Sequence, residues 1–262
     1  MGDQNQDFYA GSLSFYAGKK QRLYPAEASV IERFEGSWQS IRMLDIGIGA
    51  GRTTAHFAPL AGEYVGVDSG AAFVEHCREV FGESESVRFS VADAREFDTL
   101  GLGRFDFILF SFNGIDYSDH PSRLRVLRNI RGALNHEGWF LFSSHSLLGV
   151  SKWWSSPRIS WQRPAHSLVA FAKALVKAPL LLWVNRHVDL AAGRTRGHVI
   201  LNDGAHRLSL TTYYVDPAEQ LAQLADAGFA LVAAFSPDGE VIDPLETDER
   251  GWVSYLVRPI AA

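Results

Sequence analysis

Short, almost wholly apolar runs alternate along this chain with longer stretches in which apolar residues recur every three or four positions. Met43-Leu44-Asp45-Ile46, Glu63–Asp68, Val87–Val91, Phe105–Phe110 and Gly138–Ser143 are the runs. Each has the length and composition of a strand buried on both faces. Between them, Ala71–Phe81 carries amphipathic helical spacing. Leu124, Val126, Leu127, Ile130 and Leu134 place a second helix across Pro121–Leu134, after which Asn135-His136-Glu137-Gly138 supplies a turn. Strands alternating with helices predict right-handed βαβ units and a parallel sheet with helices on both faces. Near the end, a helix over Pro217–Ala227 precedes two further strand-like runs, Phe229–Phe235 and Trp252–Val257. Asn202-Asp203-Gly204 between apolar-rich segments predicts a hairpin turn.

The first strand ends in Asp45-Ile46-Gly47-Ile48-Gly49-Ala50-Gly51-Arg52. Glycines at alternate positions permit positive φ and let the backbone approach a ligand closely, and the helix that follows aims its first N–H groups at the site. A dinucleotide fingerprint would put its third glycine at Arg52, whereas here it falls one place earlier, at Gly51. The second strand closes on Asp68, 21 positions beyond Gly47, where a doubly wound fold carries a ribose-binding acid.

The pattern D-x-G-x-G-x-G resembles motif I of class I S-adenosylmethionine-dependent methyltransferases, and the resemblance extends in order over residues 40–145. It implies an α/β, Rossmann-like seven-stranded sheet, mostly parallel with an antiparallel last strand, and S-adenosylmethionine as cofactor. The residues it implies for that cofactor are Asp45, Gly47, Gly49, Gly51, Asp68, Ser69, Ala92, Asp93, Ala94, Ser111 and Phe112, with Asp93 meeting the adenine amino group. No metal is implied. The family core supplies no fixed catalytic residue, because the sulfonium already carries an activated methyl group; alignment and desolvation do most of the work.

Acceptor chemistry is therefore sought beyond the carboxyl ends of the strands. Asn113 follows the fourth strand, with Asp116 and Ser118 nearby, either of which suits a turn or a helix cap. His145 emerges from the fifth strand, and imidazole, which titrates near neutrality, suits a general base or a structural hydrogen bond. Tyr214 precedes the last helix, where the resemblance implies a pocket wall. Tyr16 lies in an aromatic N-terminal segment that, by the same analogy, covers the cofactor or docks on the sheet.

Composition narrows the picture. With 47% hydrophobic and 21% charged residues the chain is globular, and at 262 residues it suits one enlarged catalytic domain with an insertion. The expected layout is an N-terminal helical cover (1–36), a cofactor-binding core (37–147), a basic, Trp-rich lid with the hairpin (148–214), and a final helix with the last two strands (215–262). A single cysteine, Cys77, in a helix pattern, excludes a disulfide framework, and no charged-then-apolar leader opens the chain, so a cytoplasmic setting is expected. Residues 151–200 hold eight Lys and Arg against one acid, Asp189, a local +7 in a chain of −5. Trp153, Trp154, Trp161 and Trp183 lie there too. This insert suits an anionic acceptor, an anionic membrane surface, or a packed helix pair with a solvated basic face. The expected function is methyl transfer to an oxygen or nitrogen of a small acceptor, a sugar or natural-product intermediate. The alternatives are a non-catalytic cofactor-binding scaffold and a membrane-surface enzyme acting on a lipid-linked acceptor. Nucleic acid is not expected as a partner.

Overall fold

The computed structural model describes residues 22–96, 101–150, 179–204, 208–246 and 251–260. Its parallel strands are β1 (Arg42–Ile46), β2 (Glu63–Asp68), β3 (Val87–Val91), β4 (Phe105–Phe110) and β5 (Leu134–His145). They are joined at one edge by β8 (Phe229–Phe235), β9 (Val241–Ile242) and β10 (Trp252–Pro259). The order is β3-β2-β1-β4-β5-β10-β8-β9, with β10 antiparallel to both β5 and β8. The antiparallel last strand follows expectation. Among the described residues the sheet has eight strands, because the short β9 adds a rung to the far edge.

Alternation along each strand divides the core into two layers, since successive side chains point to opposite faces. Leu44, Ile46, Ile108, Phe110, Phe140 and Phe142 pack with Val126, Leu127 and Ile130 of α4 (His120–Ala133) and Leu224 of α6 (Pro217–Asp226). Met43, Phe107, Leu109 and Leu141 pack on the other face with Val30 of α1 (Pro25–Arg33), Phe57 of α2 (Thr54–Phe57), and Val74 and Cys77 of α3 (Ala71–Phe81). Each such side chain contributes about 1.5–3 kcal/mol when fully buried. Strand order reverses between β1 and β4, and this opens a crevice at the carboxyl end of the sheet.

Three local expectations need correction. The fifth strand begins at Leu134 rather than Gly138: Leu134 pairs with Phe105, residues 135–138 loop out, and pairing resumes at Trp139 with Phe107. The hairpin of β6 (His198–Leu201) and β7 (Thr212–Val215) forms, but Leu201 pairs with Thr212, so its connection runs over residues 202–211 and is longer than Asn202-Asp203-Gly204 alone. Asn202 is buried and committed elsewhere, its backbone N–H donating to Asn185 Oδ1 at 2.8 Å and its side-chain amide to Leu208 O at 2.7 Å. Finally, neither Asp116 nor Ser118 caps α4; Asp119 does, accepting from Ser122 N at 2.9 Å.

A bridge between Ser146 and Val215 fastens the hairpin to the end of β5. Residues 1–21 of the expected N-terminal cover, with Tyr16, and residues 151–178 of the expected lid, with Trp153, Trp154 and Trp161, lie outside the described residues. Among the described residues no helix is long and apolar enough to cross a membrane.

Candidate functional site

The loop after β1 is shaped by its glycines. Gly47, Gly49 and Gly51 have φ of 71°, 52° and 83°, a region costly to side chains. Two of them answer to different neighbours. A Cβ on Gly51 would lie 2.2 Å from Phe81 Cε2, so helix α3 packs where a side chain would be, whereas a Cβ on Gly49 would meet nothing within 4 Å. Beneath the loop, the Cys77 thiol reaches the Gly49 carbonyl at 3.4 Å, and burial pushes that thiol up to about 12, which makes it a packing residue and not a nucleophile.

Asp68 ends β2 and braces the loop. Its Oδ2 accepts from Gly49 N at 2.9 Å and its Oδ1 from Gly70 N at 2.8 Å. Burial raises its carboxyl above the ordinary range, against those two hydrogen bonds. Asp93 follows β3. Burial pushes it up, but Arg95 outweighs burial through side-chain and backbone hydrogen bonds and charge, and holds it below the ordinary range. Together these residues line a cleft of about 470 Å³, of the size that holds a nucleoside-sized ligand. Every expected cofactor residue lines it except Asp45 and Gly51.

Asp45 sits one layer down, 1% exposed. Thr53 Oγ1 donates to its Oδ2 at 2.6 Å and Tyr64 OH at 2.8 Å, while Oδ1 has no partner. Burial pushes this carboxyl up to about 7, against the Thr53 and Tyr64 hydrogen bonds. It therefore anchors the turn from below and is not part of the cleft wall.

A clasp that the sequence reading missed closes the cleft from the N-terminal side. Arg52 makes two hydrogen bonds to Glu27 of α1 and a third to Ser111 Oγ at 2.9 Å, and its guanidinium lies 4.6 Å over the Tyr24 ring. Tyr24 in turn stacks on Phe112 at 5.5 Å. Arg22, Leu23 and Tyr24 line the cleft. Nothing in the local pattern signals a pair 25 positions apart.

Across the end of β4 the backbone twists through two consecutive left-handed residues, Phe112 (φ 53°) and Asn113 (φ 57°), conformations that persist only where surrounding structure enforces them. Ser143 Oγ accepts from Asn113 N at 2.8 Å. Asn113 Nδ2 stands 3.2 Å from His145 Nε2, and the Tyr214 ring stands 5.1 Å from the His145 ring. Asn113, His145 and Tyr214 thus come together, one strand beyond Ser111 and outside the lining of the cleft, with Phe112 and Gly114 between. Behind His145 lies the other residue that sequence reasoning undervalued: Asp116, fully buried, accepts from His145 N at 2.6 Å and pairs with Nδ1 at 2.8 Å. Its second oxygen is held by Arg123 and by Ser144 Oγ at 2.8 Å.

Residues 43–138, from β1 into β5, match the family model of a methyltransferase domain. The whole chain is similar in structure to several solved proteins. The Burkholderia thailandensis 1,6-didemethyltoxoflavin-N1-methyltransferase, solved with 1,6-didemethyltoxoflavin and S-adenosylhomocysteine bound, aligns over 99% of this chain and 89% of its own at 15% identity and a TM-score of 0.61. The CcbJ methyltransferase of Streptomyces caelestis aligns over 90% of each chain at 17% identity and 0.57. An S-adenosylmethionine-dependent methyltransferase of Clostridium acetobutylicum aligns over 98% and 99% at 12% identity and 0.61. No curated protein matches the sequence. Residues 43–138 thus match a methyltransferase domain, and the sheet order with its reversed last strand gives the chain the fold of the S-adenosylmethionine-dependent methyltransferases to which it is similar, with a glycine-lined cleft at the carboxyl end of the sheet.

Proposed function

We propose that the chain methylates an oxygen or nitrogen of a small-molecule acceptor, a sugar or natural-product intermediate, with His145 as the base. The observation that carries this reading is the pairing of His145 with a buried carboxylate at the carboxyl end of β5, beside the cofactor cleft. One structural neighbour, the 1,6-didemethyltoxoflavin-N1-methyltransferase with 1,6-didemethyltoxoflavin bound, supports a small acceptor.

S-adenosylmethionine, when bound, supplies a methyl group on a sulfonium, whose carbon–sulfur bond breaks toward sulfur as the acceptor's lone pair bonds to carbon. In this reading Asp68 takes the ribose hydroxyls, Asp93 the adenine amino group, and the backbone at Gly47 and Gly49 the methionine part, with Ser111 and Phe112 completing that wall. The open space at Gly49 and the acceptor-only carboxylate of Asp68 suit a ligand rich in hydroxyl and amino donors. Tyr24 and Phe112 shield the acceptor side from water. Asn113 and Tyr214 orient the acceptor, and His145 Nε2 receives the proton that a hydroxyl or ammonium must lose.

Calorimetry with S-adenosylhomocysteine is the first test, and stoichiometric binding is expected. Binding of NADH or NADPH in its place would move the chain to another class. Release of S-adenosylhomocysteine is then followed across a panel of small amines, alcohols and sugars. His145→Ala should lower turnover by about 10²- to 10⁴-fold and leave cofactor affinity intact. A variant with normal turnover would sink the base role.

A further inference from the structure

The geometry points to Asp116 as the positioning residue of His145: Asp116 holds the proton on Nδ1 so that the Nε2 lone pair faces the acceptor, and Arg123 pairs with the carboxylate where no water reaches it. This rests on the reading of His145 as the base.

The hydrogen-bond inventory fixes the direction of each bond. Asp116 Oδ1 accepts from the Arg123 guanidinium and from Ser144 Oγ, and Oδ2 accepts from the His145 backbone N–H. A carboxylate so engaged, beside an arginine that cannot give up its proton, is an acceptor only. The hydrogen between Oδ2 and His145 Nδ1 therefore sits on nitrogen. On the opposite side of the ring, the Asn113 side-chain amide stands 3.2 Å from Nε2 and turns aside when the acceptor takes its place. The Asp116 contact leaves Nε2 as the proton-accepting atom.

Arg123 is equally committed. Like Asp116 its side chain is 0% exposed, and beyond the ion pair it donates to Ser144 Oγ at 3.0 Å, to Gln220 Oε1 and to Gln223 Oε1 at 3.2 Å. It lies 4.7 Å over the Tyr213 ring. Elements α4, β5, α6, β7 and the 3-10 turn Gly114–Tyr117 all meet at this one pair. A buried ion pair is a poor route to stability, since apolar residues of similar volume do as well. What an apolar pair would not supply is a fixed acceptor for His145 Nδ1, whose ring is 17% exposed at the ligand face. When the acceptor is methylated, its proton moves to Nε2, and the Asp116 carboxylate stabilises the imidazolium that results without taking a proton itself.

Nitrogen-15 NMR of the full chain with S-adenosylhomocysteine bound reads the tautomer directly. The Nδ1–H form of His145 is expected, and a dominant Nε2–H form would overturn the proposal without any mutation. Asp116→Asn places an amide against donors on both sides, and its nitrogen is driven toward His145 by the guanidinium opposite. His145 should then shift to the Nε2–H form. Methyl transfer from S-adenosylmethionine carrying a labelled methyl group, to a panel of small amines and alcohols, should fall by about 10²-fold or more with cofactor affinity unchanged. A full rate in His145→Ala would overturn the base reading and this proposal together. The usual loss in His145→Ala combined with a near-normal rate in Asp116→Asn would overturn this proposal alone.

Discussion

Arg52 and Glu27 meet through two parallel hydrogen bonds, Nη1 to Oε2 at 2.6 Å and Nη2 to Oε1 at 2.7 Å, which tie helix α1 to the residue after the third glycine. Glu27 also accepts from Tyr24 N at 2.7 Å and from Ser111 Oγ. One carboxylate thus gathers the N-terminal helix, the glycine loop and the end of β4. Because bidentate arginine–carboxylate pairs are geometrically exacting, Glu27→Gln should release this corner. Affinity for S-adenosylhomocysteine should fall about 10-fold, chiefly through faster dissociation, which is about 1.4 kcal/mol. In a double-mutant cycle, Glu27→Gln with Arg52→Ala should be no weaker than either single variant. Additive losses would mean that the two residues act separately.

Asp68 offers a sharper test of the cofactor cleft. Its two oxygens already brace Gly49 and Gly70, so truncation removes loop support along with the charge-assisted hydrogen bonds proposed to the ribose. Each such bond contributes about 1.5–3 kcal/mol, so Asp68→Ala should raise the Kd for S-adenosylmethionine by roughly 10- to 150-fold for one bond lost. Calorimetry measures this, and an unchanged Kd would remove Asp68 from the site.

Much of the core was readable because parallel strands buried on both faces must be apolar throughout. Phe105–Phe110 shows this plainly, with its alternate residues feeding the two core layers. Asp68 was readable because a carboxylate ending an apolar run has few reasons to be there, and Asp93 only through the family resemblance; both line the cleft. The buried support of His145 was not. Arg123 lies in a helix whose apolar spacing draws the eye to Leu124, yet Arg123 is the fully buried residue and Leu124 is only half-buried. Its partners Gln220 and Gln223 come nearly a hundred positions later, and no local pattern encodes that meeting. The length of the hairpin connection was hidden for a related reason: the local turn forms, with Gly204 N donating to Asn202 Oδ1 at 2.9 Å, but Asn185, 17 positions earlier, claims the Asn202 backbone.

The buried Asp45 gives stability a distinctive pH dependence. Its carboxyl moves from an ordinary 3.8 to about 7 in the folded chain, so between those values the folded state keeps a proton that the unfolded chain has released. More protons bound in the folded state means that stability falls as pH rises from about 4 to about 7, then levels off. Each unit of displacement corresponds to about 1.4 kcal/mol. Asp45→Asn keeps an oxygen for Thr53 and Tyr64 and cannot ionise. Urea unfolding of both proteins at pH 5, 6, 7 and 8 should show the wild type losing stability relative to the variant up to pH 7. Parallel profiles would show that Asp45 ionises normally.

Gly49 and Gly51 should separate binding from stability. At Gly51 an added Cβ meets Phe81 at 2.2 and 2.7 Å and φ is +83°, so Gly51→Ala combines overlap with backbone strain. Overlap costs about 1–3 kcal/mol and the left-handed conformation about 1–2 kcal/mol more. Thermal unfolding should drop accordingly. Pairing it with Phe81→Ala should remove the overlap, so the double variant should lose less than the sum of the singles. At Gly49, φ is +52° but no atom lies within 4 Å, so Gly49→Ala carries the backbone cost alone. Its methyl group instead enters the cleft that Gly49 lines, and S-adenosylhomocysteine binding should suffer more than folding does. Measuring Tm and Kd for both variants checks the pair. Equal effects on the two quantities at both positions would mean that the loop tolerates or fails as one unit, and that the open side of Gly49 does not face the ligand.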